Sequence, residues 1–322
     1  MRVHLTITAM KTSRHGLPSA LPRLVLPILS GIAIAAASAT SSFAEDWPKD
    51  YEVHEKTESP DHHYAVLVPD HEPAENGQVD YLADIKNHRV LGKLTGAEYF
   101  RSQNHANLWM VWSDDSKWGV LQLDGRWYFE SVWVLEIAGG SFTVQDLGPR
   151  IAQTMSTALG KGADDEFRWV QLFHAANKDR TLVTSGIART NARGFANRKT
   201  YFAYFHSRYD ARAKKWISAT ARPITEPEWD ALNYALNYED GDAGRDSVVT
   251  GTNGDEEAHA KVLDEQLNFM YQALKFLLPP KEFATIKQEQ LQWLKKRDAT
   301  TGEAKRKLVA DRIDVLNKAL PE

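Results

Sequence analysis

Short apolar runs separated by turn-forming residues recur from Tyr51 to about Gln145 and indicate a series of β-strands. Short apolar runs such as Tyr64–Val68 and Leu108–Trp112 end at Pro, Asp, Asn and Gly residues, which favour turns. Consecutive hairpins of this kind are typical of an antiparallel meander. The first part of the chain is therefore predicted to be β-rich and antiparallel.

Two segments of this part resemble each other. Ser59-Pro-Asp-His-His-Tyr-Ala-Val66 is followed 54 residues later by Ser113-Asp-Asp-Ser-Lys-Trp-Gly-Val120. The shared pattern, within residues 59–120, resembles the strand-turn signature of TolB-type and WD-repeat propeller blades, in which Ser and Asp hydrogen-bond a tight turn. Because a propeller typically needs about four or more blades, two such units indicate either a sandwich or a partial propeller.

The middle of the chain contains a different pattern. Residues 146–175 are predicted to be helical, because Ile151, Met155 and Leu159 recur at helical spacing. The pattern returns to strands between Thr181 and Ala221, and Thr225 is then the expected N-cap of a short helix.

The remaining residues are predicted to be helical. Residues 241–254 are rich in Gly and Asp, which is typical of a flexible linker. Residues 255–322 contain three amphipathic stretches, which predict a small antiparallel three-helix bundle. The expected fold class is α+β, with an acidic, Trp-rich domain over residues 45–240, the linker and then the helical domain.

Residues 1–44 have the three parts of a secretory signal peptide. They contain four basic residues and no acidic one, an apolar run from Leu24 to Ala39, and a small-x-small ending at Ser42-Phe43-Ala44. The run of about 16 residues is shorter than the roughly 20 that a membrane-spanning helix needs. We expect cleavage after Ala44 and a periplasmic or secreted protein that is not held in the membrane; an uncleaved amino-terminal anchor is the alternative.

Charge changes the list of expected partners. The chain has 39 basic and 43 acidic side chains, so its net charge is −4, and removal of the four basic residues of the predicted signal peptide makes it −8. Residues 255–322 contain 12 basic and 12 acidic side chains, so the whole −8 lies in residues 45–254. An acidic surface disfavours nucleic acid and favours a basic protein. The chain also has no cysteine, so packing alone must stabilise the fold.

The helical part carries a recognisable motif. It reads Leu267-Asn268…Tyr271, then Gln290-x-x-Trp293-x-x-x-Arg297-Asp298, then Arg312…Leu316. This pattern, over about residues 258–320, resembles the N-terminal domain of the lysozyme inhibitor LprI family. Members of that family usually have a cysteine shortly after the Arg-Asp pair, and this chain has Ala-Thr-Thr there.

The resemblance implies a periplasmic helical module and, as a function, inhibition of lysozyme. It makes Gln290, Trp293, Arg297 and Asp298 the candidate partner-binding residues. The first three are spaced at i, i+3 and i+7 and share one helix face. The alternative is a structural role, with Trp293 in the core and Arg297 paired with a carboxylate of the preceding helix, for which the candidates are Asp264 and Glu265.

Tryptophans supply a second candidate site. Five of the ten lie between residues 109 and 133. Trp109 and Trp112 fall on opposite faces of one strand, so one of them can be exposed. Trp109, Trp112 and Trp127 are candidates for stacking on the sugar rings of peptidoglycan or another glycan, and packing against neighbouring elements is the alternative.

No motif of a nucleophilic hydrolase, a phosphate-binding loop, a dinucleotide fingerprint or a zinc protease is present, so no catalytic residue and no cofactor are predicted. The early histidines do not predict a metal site, since the adjacent His62 and His63 would point to opposite sides of a strand. The hypotheses are a binding protein that inhibits lysozyme or another envelope hydrolase, a glycan-binding or envelope-assembly module, and an uncharacterised hydrolase.

Overall fold

The computed structural model describes residues 47–72, 79–162, 168–191, 197–238 and 256–321. The predicted signal peptide (1–44) and the predicted linker (241–254) lie outside these residues. The described part contains twelve β-strands and five α-helices, with most of the helices after the strands. The α+β class, with a β-rich part followed by helices, is therefore confirmed.

The strands form three antiparallel sheets, each of four strands in chain order. The first sheet contains β1 (Tyr51–Val53), β2 (Tyr64–Pro69), β3 (Asp80–Asp84) and β4 (Arg89–Leu94). The second contains β5 (Asn107–Trp112), β6 (Trp118–Asp124), β7 (Phe129–Ala138) and β8 (Ser141–Asp146). The third contains β9 (Trp169–Ala176), β10 (Thr181–Arg189), β11 (Phe202–Asp210) and β12 (Lys215–Ile224). Each sheet is thus a meander, and the hairpin pattern predicts this for the first two sheets.

The Ser-x-Asp turns are present in the first two sheets. Ser59 Oγ donates to Asp61 Oδ1 at 2.7 Å, and Ser113 Oγ donates to Asp115 Oδ1 at 2.6 Å. In both turns the carboxylate also accepts a backbone N–H two residues further on. Each turn lies between the first and second strands of its sheet. The predicted hydrogen bonding of these turns is therefore confirmed.

A third copy of this turn joins β9 to β10, where the sequence pattern did not indicate one. Asn177 occupies the serine position, and its carbonyl oxygen accepts the N–H of Arg180 at 3.0 Å. The N–H of Thr181 donates to Asp179 Oδ1 at 2.9 Å. Arg180 has a φ of 68°, close to the 57° of His62 in the first turn. Each of the three sheets therefore contains one turn of this kind, whereas the sequence pattern indicates two such turns.

The second sheet packs against the first on one face and against the third on the other. Along β6, Leu121 and Leu123 belong to an apolar cluster shared with the first sheet. Trp118 and Val120 alternate with them and belong to a cluster shared with the third sheet, which includes Phe205. Side chains on a strand alternate between its faces, so one strand contributes to both apolar layers.

The predicted helix over residues 146–175 is correct at its start and wrong at its end. Helix α1 (Gly148–Leu159) packs Ile151 and Met155 into the layer between the second and third sheets. It ends at Gly160, whose φ of +55° is a conformation that glycine adopts without strain. Residues 169–176 form β9 instead, because a short apolar run fits a buried strand as well as a helix.

Four more helices complete the described chain: α2 (Glu226–Leu236), α3 (Glu256–Leu277), α4 (Pro280–Asp298) and α5 (Gly302–Asn317). Thr225 caps α2 as predicted, in a reciprocal capping box with Glu228. No helix in the described ranges is both long and apolar enough to cross a membrane.

The third sheet and the helices share one core. The cluster contains Ile187 of β10, Leu232 of α2, Met270 of α3 and Ile313 of α5, all of them buried. These residues come from both sides of segment 239–255. The helices therefore cover the face of the third sheet that is turned away from the second sheet.

Candidate functional site

The two halves of the LprI-like pattern lie on neighbouring helices. A groove of about 420 Å³ runs between α3 and α4, and we call it the α3–α4 groove. Its lining includes residues from both halves of the pattern, among them Asn268, Tyr271, Gln290 and Arg297. Residues separated by about twenty positions in the sequence thus form one surface feature.

Arg297 connects the two helices across this groove. Its Nη1 lies 3.5 Å from Asp264 Oδ1, and its Nη2 donates to Asp298 Oδ1 at 2.9 Å. The guanidinium carbon lies 5.7 Å from the ring centre of Trp293. The side chain is 23% exposed. Pairing with Asp264, one of two carboxylates expected from the sequence, is therefore confirmed, and the arginine is half-buried.

Gln290 is held on the inner side of the groove. Its Oε1 accepts a hydrogen bond from Arg312 Nε at 2.9 Å, and both side chains are buried. This bond joins α4 to α5 through two residues of the pattern. Trp293 is partly buried and packs against the helical core, whereas Asp298 is exposed. The four predicted residues therefore range from buried Gln290 to exposed Asp298.

Helix α4 is the most loosely packed of the five. Gln290 is its one buried residue among those described. Leu291, which lines the α3–α4 groove, is 54% exposed. A single exposed leucine is ordinary on a protein surface, but here it lies beside polar groups in a concave feature. The groove therefore combines an apolar contact with carboxylate, amide and guanidinium groups.

The tryptophans predicted to stack on glycans separate into two places. Trp109 and Trp112 face opposite sides of β5, as the strand alternation predicts. The indole N–H of Trp112 donates to the carbonyl oxygen of Thr57 at 2.9 Å, and its ring lies 6.2 Å from that of Tyr64. Trp112 thus packs between the first and second sheets.

Trp109 and Trp127, in contrast, line the same cleft between the second and third sheets. This cleft has a volume of about 440 Å³, and we call it the tryptophan cleft. Trp169 and Asp124 also line it, and neither was predicted as a site residue. One residue in the sequence could have indicated this cleft. Gln122 is polar but occupies a buried position within the apolar run 118–123 of β6.

The early histidines have separate environments. His54 Nε2 lies 2.7 Å from the carbonyl oxygen of Leu108, and loss of hydration lowers the pKa of His54. His62 is exposed and contacts Glu58. Within the described ranges, no group of three or more His, Asp or Glu side chains is arranged to hold a metal ion.

No protein-family model matches this chain, and a search of curated proteins also found no match. The function must therefore be inferred from the chemistry of the two sites and from the sequence pattern.

Proposed function

We propose that this chain is a non-enzymatic binding protein of the cell envelope that inhibits lysozyme or another envelope hydrolase through its α3–α4 groove. The observation that carries the proposal is that both halves of the LprI-like pattern line this one groove. The predicted signal peptide, residues 1–44, would deliver the chain to the compartment in which such hydrolases act.

The packing of α4 supports the proposal. A helix that contributed only to the core would bury a full apolar stripe, whereas α4 buries only Gln290 among its described residues. Its exposed Leu291 lies on the groove and can enter an apolar pocket of a partner. Burial of one leucine side chain contributes about 1.5–3 kcal/mol, so it can act as an anchor residue.

The polar groups of the groove support specificity. Arg297 is fixed by Asp264 and Asp298, so its orientation is set before a partner arrives. Preorganised groups lose less conformational entropy on binding than free side chains do. The exposed side of Asp298 can pair with a cation of a basic partner.

The charge distribution supports a basic partner. The net charge of −8 in residues 45–254 attracts a basic protein over a distance of about one Debye length, about 8–10 Å at ordinary ionic strength. This attraction accelerates encounter, while the neutral helical part provides the contacts. Lysozymes with a positive net charge are therefore the first partners to test.

Lysis of peptidoglycan by a basic lysozyme, measured with and without the purified chain, tests the proposal. We expect micromolar protein to lower the initial rate. The substitution Leu291→Asp places a charge at the proposed contact and should weaken inhibition at least about tenfold, since burying an unpaired charge is unfavourable.

Val315→Asp is the matched control, because Val315 is a large apolar residue on α5 that is 51% exposed, close to the 54% of Leu291. It should leave inhibition unchanged. If the purified chain inhibits no type of lysozyme, the proposed inhibition of lysozyme is overturned. If Leu291→Asp and Val315→Asp weaken inhibition equally, the α3–α4 groove is not the contact surface.

A further inference from the structure

The tryptophan cleft contains a carboxylate surrounded by hydrogen-bond donors. Asn107 and Trp109 of β5 lie directly opposite Asp124 and Gln122 of β6, so the four side chains share one face of the second sheet. Trp109 Nε1 donates to Asp124 Oδ2 at 2.8 Å, and Gln122 Nε2 donates to the other carboxylate oxygen. Asn107, directly opposite Asp124 in the register, acts to lower the pKa of this carboxyl group.

This cluster continues into the third sheet. Gln122 Oε1 lies 2.7 Å from His174 Nε2, and His174 Nδ1 lies 2.8 Å from Thr184 Oγ1. Loss of hydration lowers the pKa of His174 to about 3, so the ring is neutral at ordinary pH. A neutral ring that donates from Nε2 and accepts at Nδ1 fits both contacts. The chain of bonds from Thr184 to Asp124 therefore orients the amide of Gln122.

The network leaves the carboxylate able to accept one more bond. An ionised carboxylate has about four acceptor positions, and the donors from Trp109 and Gln122 use two of them. Loss of hydration raises the pKa of Asp124, although the side chains of Trp109, Gln122 and Asn107 oppose the rise. A hydroxyl group can donate to an unused position without bringing a charge into the cleft.

Two indoles border this acceptor. Trp109 and Trp127 line the cleft and are partly exposed, whereas Trp169, which also lines the cleft, packs its ring on that of Trp229 with 5.8 Å between ring centres. The position of Trp127 is set by its backbone, because its carbonyl oxygen accepts the N–H of Val170 at 2.8 Å. The cleft volume of about 440 Å³ lies within the range of small-molecule sites, roughly 300–1,000 Å³.

We propose that the tryptophan cleft is a saccharide-binding site that takes a neutral β-linked oligosaccharide of glucose or N-acetylglucosamine. Both faces of such a ring are apolar C–H surfaces that stack on indole, and its equatorial hydroxyls lie in the ring plane. One hydroxyl donates to Asp124 while the ring lies on tryptophan. This site is separate from the α3–α4 groove and goes beyond the proposed function.

A cationic ligand is the main rival, because indoles beside a carboxylate can also hold an ammonium group. Two observations favour the neutral ligand. Arg126 lines the cleft with its guanidinium 5.1 Å from the ring centre of Trp127, and Lys56 Nζ donates to Asn107 Oδ1 at 2.8 Å. These cations, together with the two side-chain donors to Asp124, oppose a further positive charge.

Calorimetric titration of the purified chain with cellotriose, chitotriose and tetramethylammonium chloride tests the proposal. We expect at least one trisaccharide to bind and the ammonium salt not to bind. Trp109→Phe, which removes the indole N–H and part of the stacking surface, should weaken saccharide binding about fivefold or more. Asp124→Asn, which keeps the shape but removes the charge, should weaken it about tenfold.

Trp112→Phe is the matched control, because it removes one indole hydrogen bond from the same strand on the opposite face. It should leave the affinity within about twofold, since it does not touch the cleft. If Trp109→Phe does not fold, as judged by circular dichroism, Trp127→Leu replaces it, with an affinity loss again expected. The proposal is overturned if neither trisaccharide binds at millimolar concentration, if only the ammonium salt binds, or if the cleft variants bind as the control does.

Discussion

Asp80 provides a direct test of the electrostatics of the first sheet. It begins β3 and is completely buried. Its Oδ2 accepts the backbone N–H of Tyr99 at 3.2 Å, whereas its Oδ1 has no donor within the described part of the chain. Loss of hydration, with a smaller effect of nearby Glu98, raises the pKa of Asp80 to about 7 despite the opposing Tyr99 bond. The substitution Asp80→Asn replaces this carboxyl with a neutral group of the same shape.

The sign of the effect follows from proton binding. In the folded state the pKa of Asp80 is about 7, and its ordinary value is 3.8. Between these values the folded protein binds more protons than the unfolded chain, so the free energy of unfolding falls as the pH rises from about 4 to about 7. About three pKa units at roughly 1.4 kcal/mol each correspond to about 4 kcal/mol in total. About 3 kcal/mol of this is lost between pH 5 and pH 8.

Urea unfolding at pH 5 and pH 8 measures this difference. We expect the free energy of unfolding of Asp80→Asn, relative to that of the wild type, to increase by about 3 kcal/mol between pH 5 and pH 8. Any cost of placing the amide in the site is independent of pH and cancels in the comparison. A stability difference between variant and wild type that is the same at both pH values would refute the raised pKa of Asp80.

Three further substitutions test individual contacts by the same urea measurement. Gly119→Ala should destabilise the fold by about 1–3 kcal/mol, because the added Cβ would lie 2.6 Å from the carbonyl oxygen of Val111. Thr225→Ala removes the capping box of α2 and should cost about 1 kcal/mol, whereas Thr225→Ser should restore most of it. Asp179→Ala should cost about 1 kcal/mol because it leaves the N–H of Thr181 without its acceptor in the third turn. An unchanged unfolding midpoint would contradict the corresponding contact.

Features that depend on local spacing were predictable from the sequence. Most strands of the first two sheets follow from short apolar runs bounded by turn residues. The pairing of Arg297 with Asp264 follows from the faces that helical spacing creates. The turn at Asn177 was not predictable by the same pattern, because an asparagine replaces the serine and the hydrogen bond that marks the turn comes from the backbone. Residues 169–175 were predicted to be helical because their short apolar run has no periodicity that separates a strand from a helix.

The tryptophan cleft depends on non-local packing, so only part of it was predictable. Trp109 and Asp124 are cross-strand neighbours within one hairpin, whereas Trp169 and His174 come from a different sheet, whose position no local pattern specifies. Gln122 nevertheless indicates the site, because a leucine could fill the same buried position without needing hydrogen-bond partners. Replacing buried hydrogen-bonding groups with apolar ones of similar shape is often neutral or stabilising. The network orients Asp124 at the cleft that Trp109 and Trp127 line, which is the arrangement that the proposed saccharide site uses.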